Sequence, residues 1–349
     1  MTKSWGYAAQ AAGSDLMKSD IERRALGAKD VLLEIRYCGL CHSDLHAVDN
    51  DMGMTLYPIV PGHEIVGRIA AVGTEVSKFK VGDVAAIGCY TDSCSHCVYC
   101  EQDKQQLCSG FVGAFGGYER DGKQRTYGGF SNNYVANEDY VFRMPANLDP
   151  AAAAPLLCAG ITTWSPLRLW KVGPGMNVGV VGLGGLGHMA VKLAVALGAQ
   201  VSVFTTSAGK KQDALDLGAR TAIVSTDPAA MEKATGQFDF ILDTVAAQHD
   251  INGYLGALKP EGVFCVLGIA PGELGFMNLP LVFGQKVIAG SLIGGLRDTQ
   301  EMLDFCGRNN ITATIELLPA SRINEAFKRL HKNDVKYRFV LDMAAQGGR

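Results

Sequence analysis

Cys41, His42, Ser43, Asp44 and His46 place a thiol, two imidazoles, a hydroxyl and a carboxylate within one short stretch. A thiolate at a strand end, among polar groups that face one cavity, can ligate a catalytic metal. A cysteine so placed can equally be an inert buried thiol. Two distant segments carry matching donors, Gly62-His63-Glu64 and Leu157-Cys158-Ala159. One imidazole, from His63, and two thiolates, from Cys41 and Cys158, form a set that leaves a fourth zinc position open for chemistry.

A second group, Cys94, Cys97, Cys100 and Cys108, lies within one loop region. Four thiolates at such short spacing predict a closed, tetrahedral structural zinc. The rival is an iron–sulfur cluster. Bacterial ferredoxin runs bring the last cysteine closer and follow it with proline, whereas Ser109 follows here. His96, inside the loop, is expected to face solvent. Of the ten cysteines, Cys38, Cys89, Cys265 and Cys306 remain. Their apolar surroundings read as those of buried free thiols.

A third pattern binds a cofactor. Asn177–Val181 is a short apolar run, and Gly182-Leu183-Gly184-Gly185-Leu186-Gly187 follows it directly and opens a helical stretch. In that context Gly182 permits the tight turn, Gly184 lets a pyrophosphate approach the backbone, and Gly187 lets helix and strand pack closely. The helix N-terminus then holds the negative charge. An NAD site places an acid at the end of the next strand, on the ribose 2′-hydroxyl. No Asp or Glu occurs between Asp149 and Asp213. The position falls in Thr205-Thr206-Ser207, with Lys210 and Lys211 just beyond. Hydroxyls and ammonium groups suit a 2′-phosphate, which a carboxylate would repel, so NADP(H) is expected. Otherwise the two lysines are the solvated start of a helix.

These groups need two frameworks. A chain of 349 residues exceeds one ordinary core. Up to about residue 150 it reads as β-rich, with alternating runs at Val31–Tyr37, Ile65–Val72 and Val84–Ile87 separated by turn signals. Beyond that, strands at Asn177–Val181, Val201–Phe204, Thr221–Val224, Phe238–Leu242, Val263–Leu267 and Val287–Leu292 alternate with helix-length segments. That pattern builds a doubly wound parallel sheet. Thr299–Cys306 and Asn324–Leu330 read as helices, and Val335–Leu341 as a strand returning to the first domain. The domains expected are residues 1–153 with 292–349, and 154–291. A net charge of -3 argues against a general nucleic-acid partner. No apolar run is long enough to cross a membrane. The first residues lack a basic segment followed by an apolar core, so the cytoplasm is expected.

Taken together, Gly39-Leu40-Cys41-His42-Ser43-Asp44, Pro61-Gly62-His63-Glu64, the four-cysteine lobe, Cys158-Ala159-Gly160-Ile161-Thr162 and the glycine loop resemble one family across essentially the whole chain. It is the zinc-dependent medium-chain alcohol dehydrogenases of the cinnamyl alcohol dehydrogenase branch, in particular the bacterial NADPH-dependent aldehyde reductases. The resemblance implies an α/β protein with a GroES-like catalytic domain interrupted by a Rossmann domain, and an active site in the cleft between them. It implies two zinc ions per chain: one catalytic, on Cys41, His63 and Cys158 with Glu64 beside it, and one structural, on the four-cysteine lobe. It implies that Asp44 orients His63, that Ser43 bonds the substrate oxygen and that His46 passes the proton on. His42, the glycine loop, Thr162, Thr244, Gly268 and Ser291, Leu292 and Ile293 would line the cofactor. Met52, Met54, Leu292 and Ile293 would line an apolar substrate pocket. Plant members carry a tryptophan shortly after the fourth lobe cysteine, where this chain has Ser109-Gly110-Phe111-Val112-Gly113-Ala114-Phe115. A roomier pocket follows.

The activity expected is hydride transfer between NADPH and uncharged aromatic or medium-chain aliphatic aldehydes. The rivals are an NAD-linked polyol dehydrogenase and a catalytically silent nucleotide-binding protein of the same fold. A homodimer through the apolar edge strand Val287–Leu292 is expected, because an open edge exposes unpaired backbone groups.

Overall fold

The Asp30–Leu40 strand buries Val31, Leu33 and Ile35 on one face, then all of Cys38, Gly39 and Leu40. Alternation marks a half-buried strand, and the continuous run marks where it enters the core. The computed structural model describes residues 2–269 and 272–345. The chain divides into two compact units, Met1–Cys158 with Gly294–Arg349, and Ala159–Ile293. The joins fall at 158/159 and 293/294, against 153/154 and 291/292 in the sequence reading. Among the described residues no helix is long and apolar enough to cross a membrane.

In the first unit the sheet runs in the order Ile315–Pro319, Arg338–Asp342, Asp30–Leu40, Glu64–Val72, Val84–Ile87 and Val141–Arg143, and Asn133–Asn137 also pairs with Asp30–Leu40. Leu33, Ile65, Ile69, Phe130 and Phe339 fill the core beneath it. Each such buried side chain contributes roughly 1.5–3 kcal/mol. Register does the positioning: Gly39 lies opposite Glu64, and Leu40 opposite Phe339. The ends of three strands therefore bring Cys41, Glu64 and Arg338 together. Gly39 must be glycine, since a Cβ there would stand 1.9 Å from Glu64 Oε2.

In the second unit, six parallel strands among the described residues run Thr221–Val224, Gln200–Thr205, Asn177–Val181, Phe238–Asp243, Leu258–Val266 and Val287–Gly290. This is the doubly wound order whose ligand crevice opens at the carboxyl end of the first strand. The helix Gly187–Ala196 starts directly after the glycine loop. Gly182 has φ +88°, and a Cβ on Gly187 would meet the Gly182 carbonyl at 2.1 Å. The last strand stops at Gly290, two residues before the end read from sequence. Ile293 sits at φ +27°, an uncommon conformation for a β-branched residue, so Leu292 and Ile293 leave the sheet.

Candidate active site

Cys41 caps the helix His42–Asp49, and Asp44 reaches back to it. Asp44 Oδ2 accepts from the Cys41 N–H at 2.9 Å. Its Oδ1 accepts from the Gly62 N–H at 2.9 Å and faces His63 Nδ1 at 3.0 Å. One carboxylate, 0% exposed, thus ties together the two segments that carry Cys41 and His63. With Nδ1 occupied, Nε2 is the ring nitrogen left for a metal.

Cys158 follows the short turn Ala154–Leu157, and its Sγ lies 3.9 Å from Cys41 Sγ. Ligand atoms of Cys41, His63, Glu64 and Cys158 all lie within 4.8 Å of one another, and all four residues are buried. Glu64 forms an ion pair with Arg338 through Oε1. Its Oε2 is buried with no hydrogen-bond partner. Burial pushes the Glu64 carboxyl up, and the Arg338 guanidinium draws it back. Two thiols, one oriented imidazole and an orphaned carboxylate oxygen fit a zinc ion, which takes N, S and O donors at tetrahedral spacing.

Around this cluster, Ser43 Oγ lies 3.7 Å from Cys41 Sγ. His46 Nδ1 meets Asp51 Oδ2 at 2.6 Å, and both side chains are partly exposed. The Phe115 ring lies 5.7 Å from the His63 ring, centroid to centroid. Phe111 instead packs on Tyr90 at 5.1 Å. Met52 and Met54 stand on the loop after the helix, 53% and 73% exposed.

The four-cysteine lobe assembles as spacing predicts. Cys97 and Cys94 sulfurs lie 3.6 and 3.9 Å from Cys100 Sγ. The backbone N–H groups of Cys94 and Gly110 point at Cys108 Sγ at 3.4 and 3.2 Å. The His96 backbone N–H lowers the Cys94 thiol to about 6. These thiols fit a closed zinc site. His96 is exposed, with Nδ1 on the Cys94 carbonyl at 2.6 Å, outside the sulfur cluster.

In the second unit, nothing stands within 4 Å of a Cβ built on Gly184, so the backbone is open there to a pyrophosphate. Leu183, Gly185 and Leu186 complete the turn, and Lys210 Nζ reaches the Leu183 carbonyl at 3.4 Å. Thr244 Oγ1 donates to Val181 O at 2.7 Å, beside Gly182 and Gly187. Gly268 backs onto the Val245 carbonyl, where a Cβ would come within 2.0 Å. Thr162 is buried in the helix Ala159–Leu169. Thr206, Ser207, Lys210 and Lys211 are exposed. Thr205 is buried, and its hydroxyl is engaged with the Ser207 backbone.

Sequence reasoning missed three neighbours. Arg338 carried no motif. Cys89 is partly exposed and stands against the Leu157 carbonyl, not sealed in an apolar core. His249 has no motif around it in the sequence, and its Nε2 lies 3.3 Å from the buried Asp243 carboxylate. The other three thiols keep the inert reading: burial pushes Cys38 well up, and Cys265 and Cys306 up to about 12.

Known proteins match throughout. Residues 27–146 fit the alcohol dehydrogenase GroES-like domain, and 185–308 the zinc-binding dehydrogenase domain. An NADP-dependent alcohol dehydrogenase of Mycolicibacterium smegmatis is 48% identical over 97% of each chain. A mannitol dehydrogenase of Petroselinum crispum is 52% identical over 92% of this chain and 96% of that one. The structure of a cinnamyl alcohol dehydrogenase from Sorghum bicolor superimposes with a TM-score of 0.96 at 42% identity, covering 100% of this chain and 99% of that one. The buried Cys41–His63–Glu64–Cys158 cluster therefore belongs to a member of the zinc-dependent medium-chain alcohol dehydrogenase family, in its cinnamyl alcohol dehydrogenase branch.

Proposed function

We propose that this chain reduces uncharged aromatic and medium-chain aliphatic aldehydes, of the cinnamaldehyde and benzaldehyde kind, with NADPH. The observation that carries the reading is the buried Cys41, His63 and Cys158 set beside the orphaned Glu64 oxygen. The name of the Mycolicibacterium relative and the acid-free Thr205–Ser207 stretch support NADP(H). When bound, zinc supplies Lewis-acid polarisation of the carbonyl, and the nicotinamide supplies the hydride. Asp44 holds His63 in one tautomer and orientation. Ser43 bonds the substrate oxygen and gives it a proton as charge develops there. His46, tied to Asp51, returns that proton from solvent. Reduction outpaces oxidation near neutral pH, because oxidation must release the proton.

Met52, Met54, Leu292 and Ile293 form the proposed substrate lining. None can pair with a carboxylate or hold several hydroxyls, so a sugar would lose hydrogen bonds to water without replacement. Phe115, at the His63 ring, adds an aromatic face. The mannitol dehydrogenase relative favours a polyol reading. An aldehyde panel run with NADPH and NADH, with mannitol in the reverse direction, decides between them. A preference for the polyol, or one substrate orders of magnitude above all others, overturns broad aldehyde reduction.

Two variants probe the assigned roles. His46→Ala should slow kcat by about 10–100-fold while the Kd for NADPH holds; an unchanged rate across pH removes His46 from the path. Thr206→Asp should weaken NADPH binding on the order of tenfold by setting a carboxylate near the 2′-phosphate. Its NADH activity should rise relative to NADPH, and equal use of both cofactors by the parent protein contradicts the assignment.

The proposed assembly is a homodimer through the edge strand Val287–Gly290. Exposed Phe276, Leu279, Val282 and Phe283 nearby in the chain support it. Ten free cysteines suit a reducing compartment, in keeping with the cytoplasm.

A further inference from the structure

Cys89 stands outside the ligand set but inside its circle of sulfurs. It follows the Val84–Ile87 strand, and its thiol donates to the Leu157 carbonyl at 3.6 Å, one residue before Cys158. Its hydrogen-bond partner is thus the residue that precedes a proposed zinc ligand. A Cβ on Gly88 would stand 3.4 Å from that same Leu157 carbonyl, so the two backbones run side by side. Close passage of two backbones is what a disulfide needs. Cys158 Sγ is in turn 3.9 Å from Cys41 Sγ. A third thiol thus lies against the turn that carries Cys158, while a Cys2His zinc set uses two. With the set loaded, Cys41 and Cys158 have their lone pairs engaged, and Cys89 remains the free thiol. It is also partly exposed, as an oxidant would require.

We propose that Cys89 is an oxidation site that disarms the catalytic centre: hydrogen peroxide oxidises it, and Cys158 captures it as a disulfide. The Cys89 sulfur attacks a peroxide oxygen, the O–O bond breaks, and hydroxide leaves, giving a sulfenic acid. The Cys158 thiolate then gives up its metal bond and attacks the Cys89 sulfur, the S–O bond breaks, and a second hydroxide leaves. Two thiols lose two electrons in all, and the peroxide becomes two waters. A zinc ion deprived of one of its thiolates is released, because disulfide sulfur is no thiolate ligand. A dithiol reductant with added zinc reverses the change. The inference rests on the proposed assignment of Cys158 as a zinc ligand.

The test treats zinc-loaded protein with hydrogen peroxide, traps free thiols by alkylation, maps the peptides by mass and follows zinc with a chromogenic chelator. The expected result is a Cys89–Cys158 linked peptide pair appearing in step with zinc release. Cys89→Ser and Cys89→Ala should release zinc more slowly, on the order of tenfold. Dithiothreitol plus zinc should restore both the thiols and the metal content. Release from either variant at the parent rate overturns the proposal. So does a bond that maps to Cys41–Cys158, or Cys89 that oxidises without forming a link. Zinc content of untreated Cys158→Ser protein tests the ligand assignment alone. Two zinc ions there would refute that assignment, whereas the mapped disulfide reports on Cys89 independently.

Discussion

Cys158→Ser should leave a folded protein that holds one zinc per chain and turns over at least about a thousandfold more slowly. Losing the Lewis acid removes several kcal/mol of stabilisation from the developing charge, and each 1.36 kcal/mol is about tenfold in rate. The fold should survive, because Asp44 still ties Cys41 to Gly62 and His63 without the Cys158 sulfur. Cys100→Ser should do the reverse. It should lose the other zinc and destabilise or aggregate the protein, since a four-thiolate site contributes directly to folding. Elemental analysis, kcat and thermal unfolding of the two variants separate these outcomes. Wild-type protein with a single zinc, or with iron, would refute the two-site assignment.

Arg338→Met should lower stability by about 3–5 kcal/mol, the usual cost of removing one partner of a buried ion pair. Arg338 is 4% exposed and Glu64 0%, so neither solvent nor counterions can take over. Glu64 would keep its carboxyl in the core with Gly39 pressed against it and without the guanidinium that Oε1 faces. Adding Glu64→Gln should recover part of the loss, because an amide leaves no uncompensated charge. Urea midpoints of the three proteins, each fully loaded with zinc, measure this. A loss below about 1 kcal/mol in the single variant would mean the pair is solvated after all.

The contrast between these two predictions shows what sequence carried. Cys41, Ser43, Asp44 and the lobe cysteines were legible because their spacing is local and the chemistry fixes the residue types. The Gly182–Gly187 loop was legible because strand, turn and helix follow one another directly. Arg338 was not, because its partner lies 274 positions away and only sheet register brings the two together. The Thr2–Ala8 and Met17–Arg23 pair escaped for a different reason: the second strand is mostly polar and exposed and carries little apolar alternation. Cys89 escaped because its sequence neighbours are apolar, while its spatial neighbour is the turn before Cys158. The last Rossmann strand reads too long, to Leu292, because Leu292 continues the apolar run of Val287, Ile288 and Ala289, while the chain leaves the sheet after Gly290.

Asp44 has a consequence for how the protein matures. Its single carboxylate gathers Cys41, Gly62 and His63 through bonds that involve no metal. The pocket is therefore shaped before its ion arrives, whereas the lobe gathers four thiols around one point, an arrangement that a structural zinc holds together as part of folding. During zinc shortage the lobe should fill first, as part of folding itself. Chains lacking only the second ion would then persist as a dormant reserve, folded and ready, and would gain activity on repletion without new synthesis.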